Sequence, residues 1–249
     1  MSELSAPPYT TIADLAVFLD VDGTLLEIAP TPESVRVSDR VKILLSDLSL
    51  QLKGALALVS GRSVPTLDSL FDPLRLPSAG IHGSERRDAT GILIRPEVDV
   101  VRIAAVRDEL TAWTLRHPGT LLEDKGYALA LHYRLAPDLE ALALAEIESA
   151  LAMLATHELQ RGKFVFEIRP SGHSKGSAID AFMQESPFRG RRPLFIGDDV
   201  TDESGFKAVN RLGGISIRVG EAANTCARHA LRDVTHVIDW LEERIADSH

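Results

Sequence analysis

Leu15-Ala16-Val17-Phe18-Leu19-Asp20-Val21-Asp22-Gly23-Thr24 joins an unbroken apolar run to an acidic turn. The apolar part is too short for a helix. It also lacks polar alternation, so both of its faces must be covered. Such a run reads as a strand inside a parallel sheet flanked by helices. Two further runs have the same form. Ala55-Leu56-Ala57-Leu58-Val59 leads into Ser60-Gly61-Arg62, and Leu194-Phe195-Ile196 leads into Gly197-Asp198-Asp199-Val200-Thr201-Asp202-Glu203. Residues 215–219 and 234–237 read as more peripheral strands. Between them Val41, Leu44, Leu45 and Leu48 fit one helical stripe, as do Ala178, Ile179, Phe182 and Met183. Strand alternating with helix implies an α/β fold with a doubly wound, mostly parallel, Rossmann-like sheet.

The middle of the chain follows another pattern. A short strand at residues 92–94, a helix over 98–116, strands near 120–123 and 128–133, and a last strand over 163–168 lack the buried parallel signature. A second helix is expected to pack through Leu139, Leu142, Ile147, Leu151 and Leu154. Pro96 and Pro170 punctuate the borders. The expectation is a core made of residues 1–84 and 171–249, with an α+β cap domain, 85–170, inserted between them.

Composition bounds the function. The 249 residues are 45% hydrophobic and 25% charged, as in a globular protein with a sizeable core. The 27 basic residues against 36 acidic ones give a net charge of −9, which disfavours nucleic acid and anionic membranes as partners. Cys226 is the sole cysteine, so no internal disulfide forms, in keeping with a reducing compartment. Met1-Ser2-Glu3-Leu4-Ser5-Ala6-Pro7-Pro8 carries no basic-then-apolar export signal, and no uncharged apolar stretch reaches membrane-spanning length. A soluble cytoplasmic protein with no obligate protein partner is expected.

The chemistry sits where the three apolar runs end. In open parallel sheets the ligand crevice lies beyond the carboxyl ends of the strands, so three separate segments bring their polar atoms to one edge. Asp20, Asp22, Asp198 and Asp199 crowded there would repel one another unless a hard cation sits among them. All-oxygen ligation suits Mg²⁺, and no His/Cys spacing suggests zinc. A carboxylate beside Mg²⁺ is a plausible nucleophile toward phosphorus, and a second one two residues on could protonate the leaving oxygen and later activate water. Ser60, the backbone N–H groups near Gly23 and Gly61, and a lysine would bind phosphoryl oxygens. Lys175, opening a helix after Ser171-Gly172-His173-Ser174, is the best candidate.

Each piece alone has a plainer explanation. An Asp-x-Asp is usually a solvated loop or helix cap, Ser60-Gly61-Arg62 an ordinary strand-to-helix turn, and Arg62 half of an ion pair. Together and in order, Asp20-Val21-Asp22-Gly23-Thr24, Ser60-Gly61-Arg62, Lys175 and Gly197-Asp198-Asp199 match the four motifs of the haloacid dehalogenase superfamily of phosphohydrolases. More narrowly, the chain resembles trehalose-6-phosphate phosphatases. That match adds Gly80-Ile81-His82-Gly83, Glu123-Asp124-Lys125, Leu131-His132-Tyr133-Arg134 and Glu167-Ile168-Arg169-Pro170, and it spans roughly residues 15–241.

The resemblance implies roles. Asp20 would be the nucleophile and Asp22 the general acid and base. Mg²⁺ would be held by the Asp20 carboxylate, the Asp22 backbone carbonyl and Asp198. Ser60, Gly61, Arg62 and Lys175 would bind the phosphate, with Asp199 and Asp202 orienting the metal shell and Lys175. In the cap, Glu123, Lys125, Arg134 and Glu167 fall on positions that contact sugar hydroxyls. The substrate would then be a small sugar phosphate. Sucrose phosphate and glucosyl- or mannosyl-phosphoglycerate are rival substrates; the Glu123/Glu167 pair favours neutral hydroxyls over a glycerate carboxylate. A silent sugar-phosphate sensor is the rival of another class, and it would have no use for both aspartates.

Overall fold

The structure is a computed structural model that describes residues 4–29, 34–221 and 224–247, so residues 1–3 of the segment read for an export signal lie outside it. The chain forms two compact units, Met1–Ile94 with Ser174–His249, and Arg95–His173. The first opens with β1 (Leu15–Leu19), α1 (Asp39–Gln51), β2 (Leu56–Val59), α2 (Val64–Phe71), β3 (Ser78–Gly80), β4 (Glu85–Arg87) and β5 (Leu93–Ile94). The second holds α3 (Val100–Arg116), β6 (Leu121–Asp124), β7 (Leu129–His132), α4 (Glu140–Leu151), β8 (His157–Gly162) and β9 (Val165–Pro170). The chain then returns to the first with α5 (Lys175–Phe182), β10 (Arg192–Gly197), α6 (Glu203–Arg211), β11 (Ile215–Val219), β12 (His229–Leu231) and α7 (Val234–Ala246).

The first unit's sheet has the order β12-β11-β10-β1-β2-β3-β4-β5. All pairings from β12 to β3 are parallel, and the last two, β3 with β4 and β4 with β5, are antiparallel. Every residue of β1 and β2 is buried, as continuous apolarity requires. Chain order reverses at β1: the next strands lie on one side of it and the last ones on the other. The carboxyl end of β1 is therefore the switch point where such sheets bind ligands. Leu19 aligns with Ile196 on β10 and with Leu58 on β2, so the polar ends of these three strands fall level. Phe18, Phe182 and Phe188 fill the core, with ring centroids 5.0, 5.4 and 5.9 Å apart.

The second unit is an antiparallel sheet, β6-β7-β9-β8, backed by α3 and α4. Leu129, Leu131, Phe166 and Ile168 on one sheet face pack with Ile103, Val106, Leu110 and Trp113 of α3. Side chains alternate across the strands, so Glu123, His132 and Glu167 belong to the opposite face.

Four expectations shift. Residues 234–237 are helical, because Asp233 caps the turn by accepting from His236 N and the buried residues Val237, Ile238, Trp240 and Leu241 recur at helical spacing. The peripheral strand is β12 instead. Residues 85–94 belong to the first unit, since β4 pairs with β3 and β5 with β4. Strand β8 escaped notice because His157-Glu158-Leu159-Gln160-Arg161-Gly162 is a polar edge strand. Helix α4 buries Ala143, Ile147 and Ala150, with Leu151 packed against the same core and Leu154 buried just beyond it, while Leu142 is exposed, so alanines share the contact with the expected residues. Among the described residues no helix is long and apolar enough to cross a membrane.

Candidate active site

Asp20 follows β1 directly, its N–H bonded to the Ile196 carbonyl of β10 at 3.0 Å, and it is 4% exposed. Lys175 reaches it from α5. Ser174 and Ser177 form a capping box that fixes the helix start and makes Lys175 its first residue. The Lys175 Nζ donates to Asp20 Oδ1 at 2.7 Å and to Asp202 Oδ1 at 2.6 Å. Asp202 in turn accepts, on Oδ2, the backbone N–H groups of Asp198 (2.9 Å) and Asp199 (2.8 Å). Both its oxygens are thus engaged, and it joins the β10 turn to the lysine.

The Thr24 hydroxyl lies 3.3 Å from Asp20 Oδ2 and 3.5 Å from Asp198 Oδ1, linking the two acids. Nothing in the sequence pattern beyond its place in the motif singled it out. Gly23 makes the approach possible. Its φ is +84°, and a Cβ there would run into the Asp198 carboxylate. Ser60 is buried after β2, its Oγ accepting from Arg62 N at 3.1 Å. Its carbonyl accepts from His82 N at 2.9 Å, and a Cβ on Gly61 would meet the His82 ring at 2.7 Å. The Asp22 side chain turns to Arg62, whose Nε and terminal nitrogen each donate to one of its oxygens at 2.7 Å. Asp199 stands at the N-cap of the 3₁₀ turn Val200–Asp202, where it forms a capping box with Asp202.

The charges do not balance. Oxygens of Asp20, Asp198 and Asp202 come within 4.8 Å of one another, and Lys175 is the cation that touches two of them. Three carboxylates against one ammonium leave two negative charges over. Burial, with Asp202 and Asp198 nearby, pushes Asp20 well above the usual carboxylate range even though Lys175 opposes this. Burial and Asp202 likewise raise Asp198 to about 6. Lys175 is pushed up by Asp20 and Asp202, against the effect of burial, and stays charged. Two surplus charges on hard oxygens, a bridging hydroxyl and a glycine that clears the way are what a divalent cation requires. Asp20 and Asp198 fit that role; Asp202, already saturated with hydrogen bonds, does not.

The second unit gathers three of the four residues expected to bind sugar. Lys125 Nζ lies 3.2 Å from Glu167 Oε2, with both side chains nearly buried. The Glu123 Oε2 lies 2.9 Å from His132 Nε2 on the neighbouring strand β7. Burial would raise Glu123, but the His132 hydrogen bond and the Lys125 charge hold it below its ordinary value. Arg134 stands apart, its guanidinium 5.5 Å from the Phe164 ring centre and donating to the Lys163 carbonyl.

A mostly parallel sheet with this acidic switch point, a buried lysine and an Asp-x-Asp-Gly-Thr turn defines a phosphohydrolase of the haloacid dehalogenase type. Comparison with known proteins narrows the class. The profile of the trehalose-phosphatase family matches residues 18–234. The trehalose-6-phosphate phosphatase of Escherichia coli K12 is 48% identical over 235 residues, covering 92% of this chain and 86% of that protein. A probable trehalose-phosphate phosphatase of Sinorhizobium fredii is 47% identical over 212 residues, covering 85% and 80%. The crystal structure of a trehalose-6-phosphate phosphatase related protein superposes with a TM-score of 0.80 at 28% identity, covering 93% of this chain and 97% of that one. This chain belongs to the trehalose-phosphatase family, whose members are phosphoric monoester hydrolases.

Proposed function

We propose that the protein is a Mg²⁺-dependent phosphatase that hydrolyses trehalose 6-phosphate to trehalose and phosphate through an aspartyl phosphate on Asp20. The names of its relatives support the substrate. The observation that carries the chemistry is the cluster of Asp20, Asp198 and Asp202, whose charge Lys175 balances only in part.

Asp20 attacks phosphorus, and the bond from phosphorus to the sugar oxygen breaks. Asp22 gives that oxygen its proton, then takes one from the water that attacks phosphorus and restores Asp20. Ser60, the Gly61 N–H, Arg62 and Lys175 hold the phosphoryl oxygens. Asp20, Asp198 and the Asp22 backbone carbonyl would hold Mg²⁺, which would supply the positive charge that lets a phosphate dianion approach these carboxylates. Asp202 keeps Lys175 and the Asp198 turn in place. Glu123, Lys125, Arg134 and Glu167 of the second unit, acting as a cap, recognise sugar hydroxyls.

The division is forced by magnitude. Phosphate monoesters need up to about 10²¹-fold acceleration, roughly 28 kcal/mol. Positioning gives about 7–11 kcal/mol and acid–base help roughly 3–5. Charge stabilisation and the covalent route must supply the rest. Cys226 as sole cysteine suits a reducing compartment, and we assign the activity to the cytoplasm.

The test is phosphate release from a panel of phosphosugars, each with Mg²⁺ and with chelator. Turnover confined to trehalose 6-phosphate and lost with chelator is expected. Equal turnover across the panel would reject the substrate, and chelator-resistant turnover would reject the metal.

A further inference from the structure

Arg62 holds Asp22 more tightly than a turn residue needs to. The guanidinium fork closes on both carboxylate oxygens at 2.7 Å, with the arginine side chain 10% exposed and the aspartate 34%. Its base is rigid. The Arg62 N–H donates to Ser60 Oγ at 3.1 Å, and its carbonyl accepts from Ile81 N at 3.0 Å. Ile81 and His82 both have left-handed backbone angles, φ +48° and +53°, so the strand end that braces this turn is itself strained into place.

Forked on both oxygens, the Asp22 carboxylate keeps a lone pair on each but is fixed in plane and direction, so it cannot swing toward a leaving group. To pass a proton to the sugar oxygen, Asp22 must first break at least one of the two bonds. What can displace it is set by chemistry. The guanidinium fork matches phosphate oxygens as well as carboxylate oxygens, and a phosphoryl dianion carries more charge. Asp22 must touch an oxygen attached to phosphorus, so the guanidinium that holds Asp22 lies within side-chain reach of the phosphoryl group.

We propose that Arg62 is a phosphate-released latch on Asp22. It grips the acid while the site is empty and exchanges it for the phosphoryl group when substrate arrives, freeing Asp22 only in a loaded site. This rests on the reading of Asp22 as acid and base given above. Arg62 is a positioning residue with respect to proton transfer, and its two anions compete.

Competition makes a prediction that a structural ion pair does not. Binding of inorganic phosphate to the Mg²⁺-loaded enzyme is measured by calorimetry for wild type, Asp22→Asn, Arg62→Gln and the double variant. If about a tenth of the wild-type guanidinium is open to phosphate, Asp22→Asn tightens phosphate about tenfold. Arg62→Gln weakens it, and adding Asp22→Asn then changes nothing further. The same tightening by Asp22→Asn in both backgrounds would mean simple charge repulsion and would overturn the latch.

Arg62→Lys guards against misfolding, because it keeps the charge but cannot fork. There Asp22→Asn should tighten phosphate clearly less than in wild type, and an equal gain rejects the proposal. The acid reading is tested separately. Asp22→Asn should lose more on trehalose 6-phosphate than on an aryl phosphate, whose leaving group needs no proton. Equal losses reject that reading; unequal losses with additive phosphate binding reject the latch alone.

Discussion

Two acidic clusters, one in each unit, respond to burial in opposite ways. In the first unit Asp20 is pushed well above the carboxylate range, because its neighbours Asp198 and Asp202 add to the effect of burial and Lys175 answers only part of it. In the second, Glu123 is held below its range, because His132 and Lys125 more than offset burial. The first cluster is electrostatically unfinished, whereas in the second each acid has its own partner, His132 for Glu123 and Lys125 for Glu167. An unfinished cluster is a place for a cation and a phosphoryl group. A paired one holds its polar atoms still for neutral partners such as sugar hydroxyls. The opposite shifts of Asp20 and Glu123 follow from this difference in neighbours.

The largest effect should come from Asp20→Asn. An amide is a poor nucleophile and a weaker ligand, so steady-state phosphate release should fall on the order of 10⁴-fold or more. Substantial turnover in the purified variant would reject the covalent route. Lys175→Met comes next. It strands two buried carboxylates and should cost about 3–5 kcal/mol in denaturant unfolding, besides activity. Added Mg²⁺ should restore part of that stability in the variant, since it supplies the missing charge; no response to Mg²⁺ would mean that the acids are not a cation site. Gly23→Ala puts a methyl against the Asp198 carboxylate at a left-handed φ. Mg²⁺ binding, followed by calorimetry, should weaken about 10- to 100-fold, the range seen when the support of a ligand is disturbed. The smallest effect lies in the second unit, at the cap of α3. Asp99 accepts from Val101 N and Arg102 N, so Asp99→Ala should cost about 1 kcal/mol of stability and leave kcat/KM unchanged.

Legibility in the sequence followed burial. Strands β1, β2 and β10 could be read because continuous apolar runs have few other uses, and the polar turns behind them marked the site. Residues 234–237 were misread because a short β-branched run looks alike in both states until the Asp233 cap and the helical spacing beyond it are weighed. Strand β8 has no apolar signature, since it lies at a sheet edge with polar side chains. The alanine contacts of α4 were overlooked beside larger leucines, of which Leu142 faces solvent. At the site the motif residues were legible as types. What they do to one another was not. The bridge from Thr24, the pairing of His132 with Glu123 and the double grip of Arg62 on Asp22 depend on side chains brought together across 9 to 174 positions of chain.

The separation of chemistry from recognition is tested most directly by kcat/KM for trehalose 6-phosphate and for a small aryl phosphate in Glu123→Ala and Glu167→Ala, with folding checked by circular dichroism. A hydrogen bond to a charged group is worth about 1.5–3 kcal/mol, so the sugar phosphate should lose roughly 10- to 150-fold. The aryl phosphate, which has no sugar hydroxyls, should lose almost nothing, because Asp20, Asp22, Lys175 and Asp198 are untouched. If both substrates fall together in the folded variants, the second unit's acids do not select the sugar, and the division between the two clusters is wrong.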